Sequence, residues 1–305
     1  MLYIPDIPDV PDNQRTQGNS YLRYEEICQD GRVQVLGLAH NIGLVVWRHL
    51  LQDHAVTRMS RELGIVPILS RLIMSNTAET IAVGHPLTAS GGYALAHSTD
   101  DAGAVNRLFM NIWVDVTGPR SRTHAPPPPG HGTMVPLGKV FAEHVFTRPF
   151  GPVDQRKVLS LPDDQVPNVP PDNYAFRTPA DVLALPAGAT PLDTELRSDP
   201  TPVVFGLIHT DSNQHVNSLQ YPRLFAEAVL RRLAEHGRPA AVMPDYVEVA
   251  YRKPCFAGDQ IRIAMRIFTM PDGNLGAVGC FIRPKDADDP ANARGHCYVR
   301  MTLIP

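Results

Sequence analysis

Apolar positions recur at helical spacing in two segments, Gly43 to Leu63 and Leu219 to Glu235, and each segment reads as a helix. Each gives way to a proline, Pro67 in one case and Pro244 in the other, and then to β-rich sequence. In the first half the pattern predicts strands over Ile68–Met74, Ala78–Val83, Tyr93–His97, Leu108–Val116 and Gly138–Phe146. In the second half it predicts them over Tyr246–Tyr251, Gln260–Phe268, Ala277–Arg283 and Cys297–Leu303. The apolar run Val203–Ile208 also reads as extended chain. One long helix with several antiparallel strands, occurring twice, makes this an α+β protein.

The halves look like faint copies. Val35-Leu36-Gly37-Leu38-Ala39-His40 corresponds to Val204-Phe205-Gly206-Leu207-Ile208-His209. Between them, prolines crowd the tract from Pro162 to Pro202, which excludes long helices and central strands. Thirty prolines are about twice the usual share; others cluster in the first dozen residues and from Ala125 to Pro136. The expected organisation is an N-terminal domain over 1–161, a proline-rich linker over 162–200 and a C-terminal domain over 201–305. Tyr174, Phe176 and Val182-Leu183 offer apolar anchors for the linker.

After the second copy of the repeat comes a short polar constellation, Asp211-Ser212-Asn213-Gln214-His215-Val216-Asn217. On an extended backbone, alternation sends Asp211, Asn213 and His215 to one side. The helix beginning near Leu219 would leave backbone N–H groups free to polarise a carbonyl. With the repeats in register, these three positions fall on Ile42, Leu44 and Val46, so the first half keeps the shape without the polar groups. A junction rich in capping residues is the plain structural reading of the same string.

The stretch Asp211-x-Asn213-Gln214-His215-Val216-Asn217-x-x-x-Tyr221 resembles the D-x-N-x-H-V-N-N-x-x-Y signature of hotdog-fold thioesterases, and is most similar to the acyl-acyl carrier protein thioesterases. Val247–Cys255 resembles that family's E-Y-R-R-E-C segment, with Pro254 where the family has an acidic residue. The resemblance implies a double hotdog: two long helices, each wrapped by an antiparallel sheet, joined by the proline-rich linker. It implies acyl-chain shaping by the first domain and hydrolysis of an acyl thioester at the second. Asp211 would act as base or nucleophile, with Asn213 and His215 as orienting and proton-transfer groups. Val216, Asn217, Tyr221, Arg252 and Cys255 would contact substrate, and backbone N–H groups of residues 216–218 would face the oxyanion.

Composition narrows the partners. A net charge of −3 without a long basic run gives no support to nucleic-acid binding. Four scattered cysteines form no C-x-x-C pair and suit a reducing compartment. No apolar run reaches the roughly 20 residues that span a bilayer, so a cytoplasmic protein with no membrane contact is expected. His124 and His131 bracket Pro126–Pro129, but no carboxylate or cysteine completes a set, so neither metal nor cofactor is expected. The expected partner is an acyl carrier protein or coenzyme A thioester, whose phosphates Arg252, Lys253, Arg231, Arg232 and Arg238 could meet. Homodimerisation is left open. Two rival readings stand beside hydrolysis. One is a hotdog hydratase or dehydratase, whose D-x-N-P-x-H pattern differs at Gln214; the other is a non-catalytic acyl-binding scaffold.

Overall fold

The computed structural model of the chain describes residues 2, 4–124 and 126–305. Met1, Tyr3 and Ala125, which fall in two of the proline-rich stretches, lie outside them. The described chain forms two compact units that meet in sequence between Phe176 and Arg177.

In the first unit, β1 (Arg15–Tyr21), β2 (Val66–Asn76), β3 (Pro86–Thr99), β4 (Val105–Pro119) and β5 (Met134–Thr147) form antiparallel pairs in the order β1-β3-β4-β5-β2. Four of the expected strands lie inside β2 to β5. Strand β1 was not expected, because its sequence, Arg-Thr-Gln-Gly-Asn-Ser-Tyr, is almost wholly polar. It is an edge strand and mostly faces solvent, so it needs little apolar patterning. Ala78–Val83 is not a strand. Ile81 is buried, yet its N–H donates to the Gly31 carbonyl, and those of Ala82 and Val83 donate to the Ser121 and Thr123 hydroxyls. Side chains and a loop thus take the bonds a neighbouring strand would have taken.

The expected helix Gly43–Leu63 is two. A wide, π-type helix covers Ile42–Leu51, and after a break at 52–54 an α-helix, α1, runs over Ala55–Leu63. The His54 side chain accepts the Val56 N–H at 3.2 Å and so starts the second piece. The π-type helix buries Val45, Val46 and Leu51. It rests on Gly91 of β3, where an added Cβ would stand 2.7 Å from a Val46 methyl.

In the second unit, β9 (Met243–Tyr251), β10 (Gln260–Thr269), β11 (Leu275–Ile282) and β12 (Cys297–Ile304) are ordered β9-β12-β11-β10, all antiparallel. The two-residue strands β6 (Thr190–Pro191), β7 (Arg197–Ser198) and β8 (Val203–Val204) pair with β10. Helix α2 (Gln220–Glu235) matches its expected span closely and lies against this sheet. Tyr221, Phe225, Val229 and Leu233, four apart, form its buried stripe. Burying a side chain the size of Phe225 contributes about 1.5–3 kcal/mol. Phe225 sits over Gly279 of β11, where a Cβ would come within 2.6 Å of its ring.

The proline-rich tract is divided between the units and is pinned in both. Tyr174 and Phe176 stack near Phe109, with centroids 5.0 and 5.9 Å away, and the Tyr174 N–H donates to the His97 carbonyl. Further on, Val182 packs with Ala250, Ala264, Cys280 and Tyr298. Buried Asp193 accepts from Arg232 Nη2 at 3.1 Å and from the Ile267 N–H at 2.9 Å, and lies 2.9 Å from His236 Nε2. Burial opposes ionisation of Asp193, but the Ile267, Arg232 and His236 contacts outweigh it and hold the carboxyl below its ordinary range. Among the described residues, no helix is long and apolar enough to cross a membrane.

Candidate active site

The run Val203–Ile208 pairs as a strand only at β8. Phe205 is buried, but Leu207–His209 forms a single 3₁₀ turn with Leu207 and Ile208 exposed. The turn is closed by the Gly206 N–H, which donates to His209 Nδ1 at 2.9 Å. The backbone then reverses rather than extends. Gln214 adopts φ 62°, its N–H donates to the Asp211 carbonyl at 2.9 Å, and the Asp211 N–H reaches the His215 carbonyl at 3.3 Å. A bridge between Thr210 and Val216 closes this loop. The period-two placement of Asp211, Asn213 and His215 on one side of an extended chain therefore does not hold. A left-handed residue between Asn213 and His215 turns the chain instead, an arrangement that costs of order 1 kcal/mol and must be held by its surroundings.

The loop holds one carboxylate by both oxygens. Asp211 Oδ1 accepts the Asn213 N–H at 2.9 Å, an Asx turn, and Oδ2 accepts from Asn217 Nδ2 at 2.9 Å. Asn217 Oδ1 in turn accepts the Leu219 N–H at 2.9 Å, just before α2. Asn217 thus ties the carboxylate to the start of the helix. Asn213 is exposed and places its backbone, not its amide, against Asp211. His215 is half-buried, with Nδ1 3.1 Å from the Val216 carbonyl. An N–H on Nδ1 bonded there leaves the Nε2 lone pair for other partners. The N–H groups of Val216 and Asn217 are taken by the carbonyls of Cys255 and His209, both at 2.8 Å. Of the three N–H groups expected to face an oxyanion, only that of Ser218 has no acceptor among the described residues.

Beneath the loop, Val216, Tyr221 and Cys255 come together. Tyr221 is 3% exposed, and its hydroxyl accepts the Cys255 N–H at 3.1 Å. Its ring meets Phe205, Tyr251 and Phe281 at centroid distances of 5.6, 6.0 and 5.2 Å. Burial, with Cys255 beside it, holds the Tyr221 phenol protonated well above the usual range. Cys255 is fully buried, and burial likewise raises its thiol. Its Sγ lies 3.4 Å from Nδ1 of His296, whose pKa is lowered by burial and then by Lys253, Arg252 and Arg283. Both shifts favour the uncharged forms, a thiol beside an imidazole. Arg252 donates to the carbonyls of Gly295 and Arg294 at 2.5 and 3.3 Å. Pro254 lies beside an open depression of about 640 Å³ that Lys253, Phe256, Arg283, Lys285 and His296 also line.

No family model matches the chain, and no curated protein matches it in sequence. Solved structures do match its fold. A protein assigned as an oleoyl thioesterase from Lactobacillus plantarum superposes with a TM-score of 0.59 at 15% identity, covering 96% of each chain. The two chains share one fold over nearly their whole length. An acyl-ACP thioesterase from Bacteroides thetaiotaomicron gives 0.56 at 12% identity, over 96% of this chain and 99% of the other. The 12:0-ACP thioesterase from Umbellularia californica gives 0.55 at 12% identity, over 95% and 94%.

Within that fold the polar loop has no gapless counterpart in the first unit. There the helix begins at Ile42, directly after His40-Asn41, whereas α2 begins at Gln220, with the loop intervening after His209. Val46 is buried as a packing residue should be, but Leu44 is 47% exposed. His209 and His296 were missed as members of the site. His296 stands immediately before the predicted strand Cys297–Leu303 and belongs to no motif; only tertiary structure brings it to Cys255.

Proposed function

We propose that the protein is an acyl thioester hydrolase, a double hotdog in which the second unit carries the chemistry. The observation that carries this reading is the Asp211 carboxylate, held by the Asn213 N–H and the Asn217 amide at the approach to α2. A thioester needs an aimed nucleophile and a donor for its oxyanion. Asp211 takes a proton from water as that oxygen attacks the carbonyl carbon, or attacks with its own oxygen and is freed by water afterwards. The Asn213 side-chain amide is left to hold the water or the carbonyl, and the Ser218 N–H to meet the oxyanion. His215, anchored through Nδ1, has Nε2 for exchanging the proton that the departing thiolate requires. The substrate is a thioester of an acyl carrier protein or coenzyme A, and the setting is the cytoplasm. Asn217 works by positioning Asp211, and Cys255 and Tyr221 by supporting the loop from below.

The test is release of free thiol from a panel of acyl-coenzyme A and acyl-carrier-protein substrates, with Asp211→Asn alongside. The variant should lose about 10²-fold or more in turnover while keeping its circular dichroism spectrum. Near-wild-type hydrolysis by Asp211→Asn would put the site elsewhere. An enoyl-thioester absorbance change without thiol release would favour a hydratase.

A further inference from the structure

The turn that delivers the chain to the Asp211 loop is shaped by hydrogen bonds rather than by packing. Its two apolar side chains, Leu207 and Ile208, are 82% and 87% exposed, and a Cβ added at Gly206 would meet nothing within 4 Å. Among the described residues four bonds close it. The His209 N–H donates to the Gly206 carbonyl at 3.0 Å, and the Thr210 N–H and hydroxyl to the Leu207 carbonyl at 3.1 and 2.8 Å. The fourth runs from the Gly206 N–H to His209 Nδ1 at 2.9 Å, and it alone has a titratable acceptor. What the turn presents is the His209 carbonyl, which accepts the Asn217 N–H at 2.8 Å. Asn217 in turn gives its Nδ2 to Asp211 Oδ2 at 2.9 Å. A path of three hydrogen bonds thus leads from the Gly206 N–H, through His209 and Asn217, to the carboxylate.

An imidazole nitrogen accepts a hydrogen bond only through a free lone pair. The Gly206 contact therefore fixes His209 as the neutral ring with its proton on Nε2. In the protonated ring both nitrogens are donors, so Nδ1–H would face the Gly206 N–H and the bond would be lost. The surroundings give the imidazolium nothing in return, since among the described residues no carboxylate pairs with His209. Asp211 has both oxygens engaged, by the Asn213 N–H and the Asn217 amide. Asp259, whose carbonyl accepts the Phe205 N–H, turns Oδ2 to the Phe256 N–H at 2.8 Å. His215 is bonded to the Val216 carbonyl, and the Phe205 ring, 5.9 Å from that of His209, brings no charge.

We propose that His209 is a positioning residue for the hydrolysis, holding the Asp211 loop in place only while its ring is neutral. The sign follows from the acceptor: the bond is present in the unprotonated ring and is lost as pH falls through the range in which imidazoles take up a proton. The inference rests on the hydrolase reading for its effect on turnover, whereas its effect on the turn is read without substrate.

Asparagine separates the acceptor from the titration, because its Oδ1 stands as many bonds from Cα as Nδ1 does and accepts at every pH. The experiment measures kcat and KM for thiol release from about pH 8 to about pH 5 in wild type, His209→Asn and His209→Leu. At the upper end His209→Leu should lose about fivefold in kcat, the factor one hydrogen bond of ordinary strength supplies, with KM little changed. His209→Asn should recover most of that loss. As pH falls, the ratio of the His209→Asn kcat to that of wild type should rise about fivefold; the titrations of Asp211 and His215, common to both, cancel from it. Hydrogen exchange, corrected for its intrinsic pH dependence, should show the Gly206 and Asn217 amides losing protection over the same range in wild type and keeping it in His209→Asn. A flat ratio, or protection that does not change with pH in wild type, overturns the proposal. So does His209→Leu turning over as fast as wild type at the upper end. Should His209→Leu fail to fold, as judged by circular dichroism, the His209→Asn ratio and the exchange data decide. Should Asp211→Asn keep its hydrolysis while the exchange follows the expected course, the hydrolytic assignment falls and the pH-dependent hold on the loop stands.

Discussion

Replacing Tyr221 by phenylalanine isolates one hydrogen bond at the base of the loop. The hydroxyl accepts the Cys255 N–H at 3.1 Å in a place where Tyr221 is 3% exposed and Cys255 fully buried. The ring and its edge contacts with Phe205, Tyr251 and Phe281 remain, so no cavity larger than one oxygen opens. The loss is then that of a buried donor left without an acceptor, about 1–3 kcal/mol. Urea unfolding measures it, followed by far-ultraviolet circular dichroism, because both tryptophans, Trp47 and Trp113, lie in the first unit. Tyr221→Leu should lose more, about 3 kcal/mol or above, since it also removes the ring. The Cys255 carbonyl holds the Val216 N–H, so hydrogen exchange at Cys255 and Val216 should quicken together in Tyr221→Phe. Stability within about 0.5 kcal/mol of wild type, with exchange unchanged, would refute the reasoning, because surface-like substitutions fall in that range.

Cys255→Ala should reduce turnover only a few-fold, through packing, and iodoacetamide should modify Cys255 slowly at neutral pH, since burial both hides the thiol and keeps it protonated. A trapped acyl-Cys255 adduct in mass spectra, with an inactive Cys255→Ala, would make the cysteine the nucleophile. Asp193→Ala leaves the Ile267 N–H buried without its acceptor and Arg232 with Glu235 alone, and should destabilise the second unit by about 3 kcal/mol in chemical denaturation. In the first unit, burial lowers the His144 pKa to about 4. The unfolded chain therefore takes up a proton near its ordinary pKa of about 6.5 while the folded one does not, and stability falls as pH drops through that window, by at most about 3 kcal/mol. His144→Gln should flatten the slope between those pH values; an unchanged slope would place the acid sensitivity elsewhere.

How much could be read beforehand depended on whether side chains or tertiary partners decide the structure. Helix α2 was legible because Tyr221, Phe225, Val229 and Leu233 repeat its period on one face. The longer strands were legible because they are broadly apolar. Ala78–Val83 is apolar at four of six positions and buried from Thr80 to Ala82, but the N–H groups of Ile81, Ala82 and Val83 end on a loop carbonyl and hydroxyls, which no local pattern records. The first-unit helix was placed correctly at its outer ends and read as continuous because a wide turn and a 3.6-residue turn leave similar apolar marks over ten residues. In the polar string the local geometry was not legible. Gln214 at φ 62° reverses a chain that alternation would have extended. His296 could not have been found, because its role comes from the approach of β12 to the segment after β9.

Each helix lies on a sheet glycine, Gly91 beneath Val46 and Gly279 beneath Phe225, at separations that leave no room for a methyl group. The helix is only part of what keeps them bare. At Gly279 the backbone carbonyl of Ala264 stands in the way as well as Phe225, and at Gly91 that of Trp113 as well as Val46, so a smaller helix residue alone would not admit a side chain on the sheet. The sheet glycines are therefore fixed by their own strand neighbours, and change is left to the helix side, where a smaller residue opens a void and a larger one a clash.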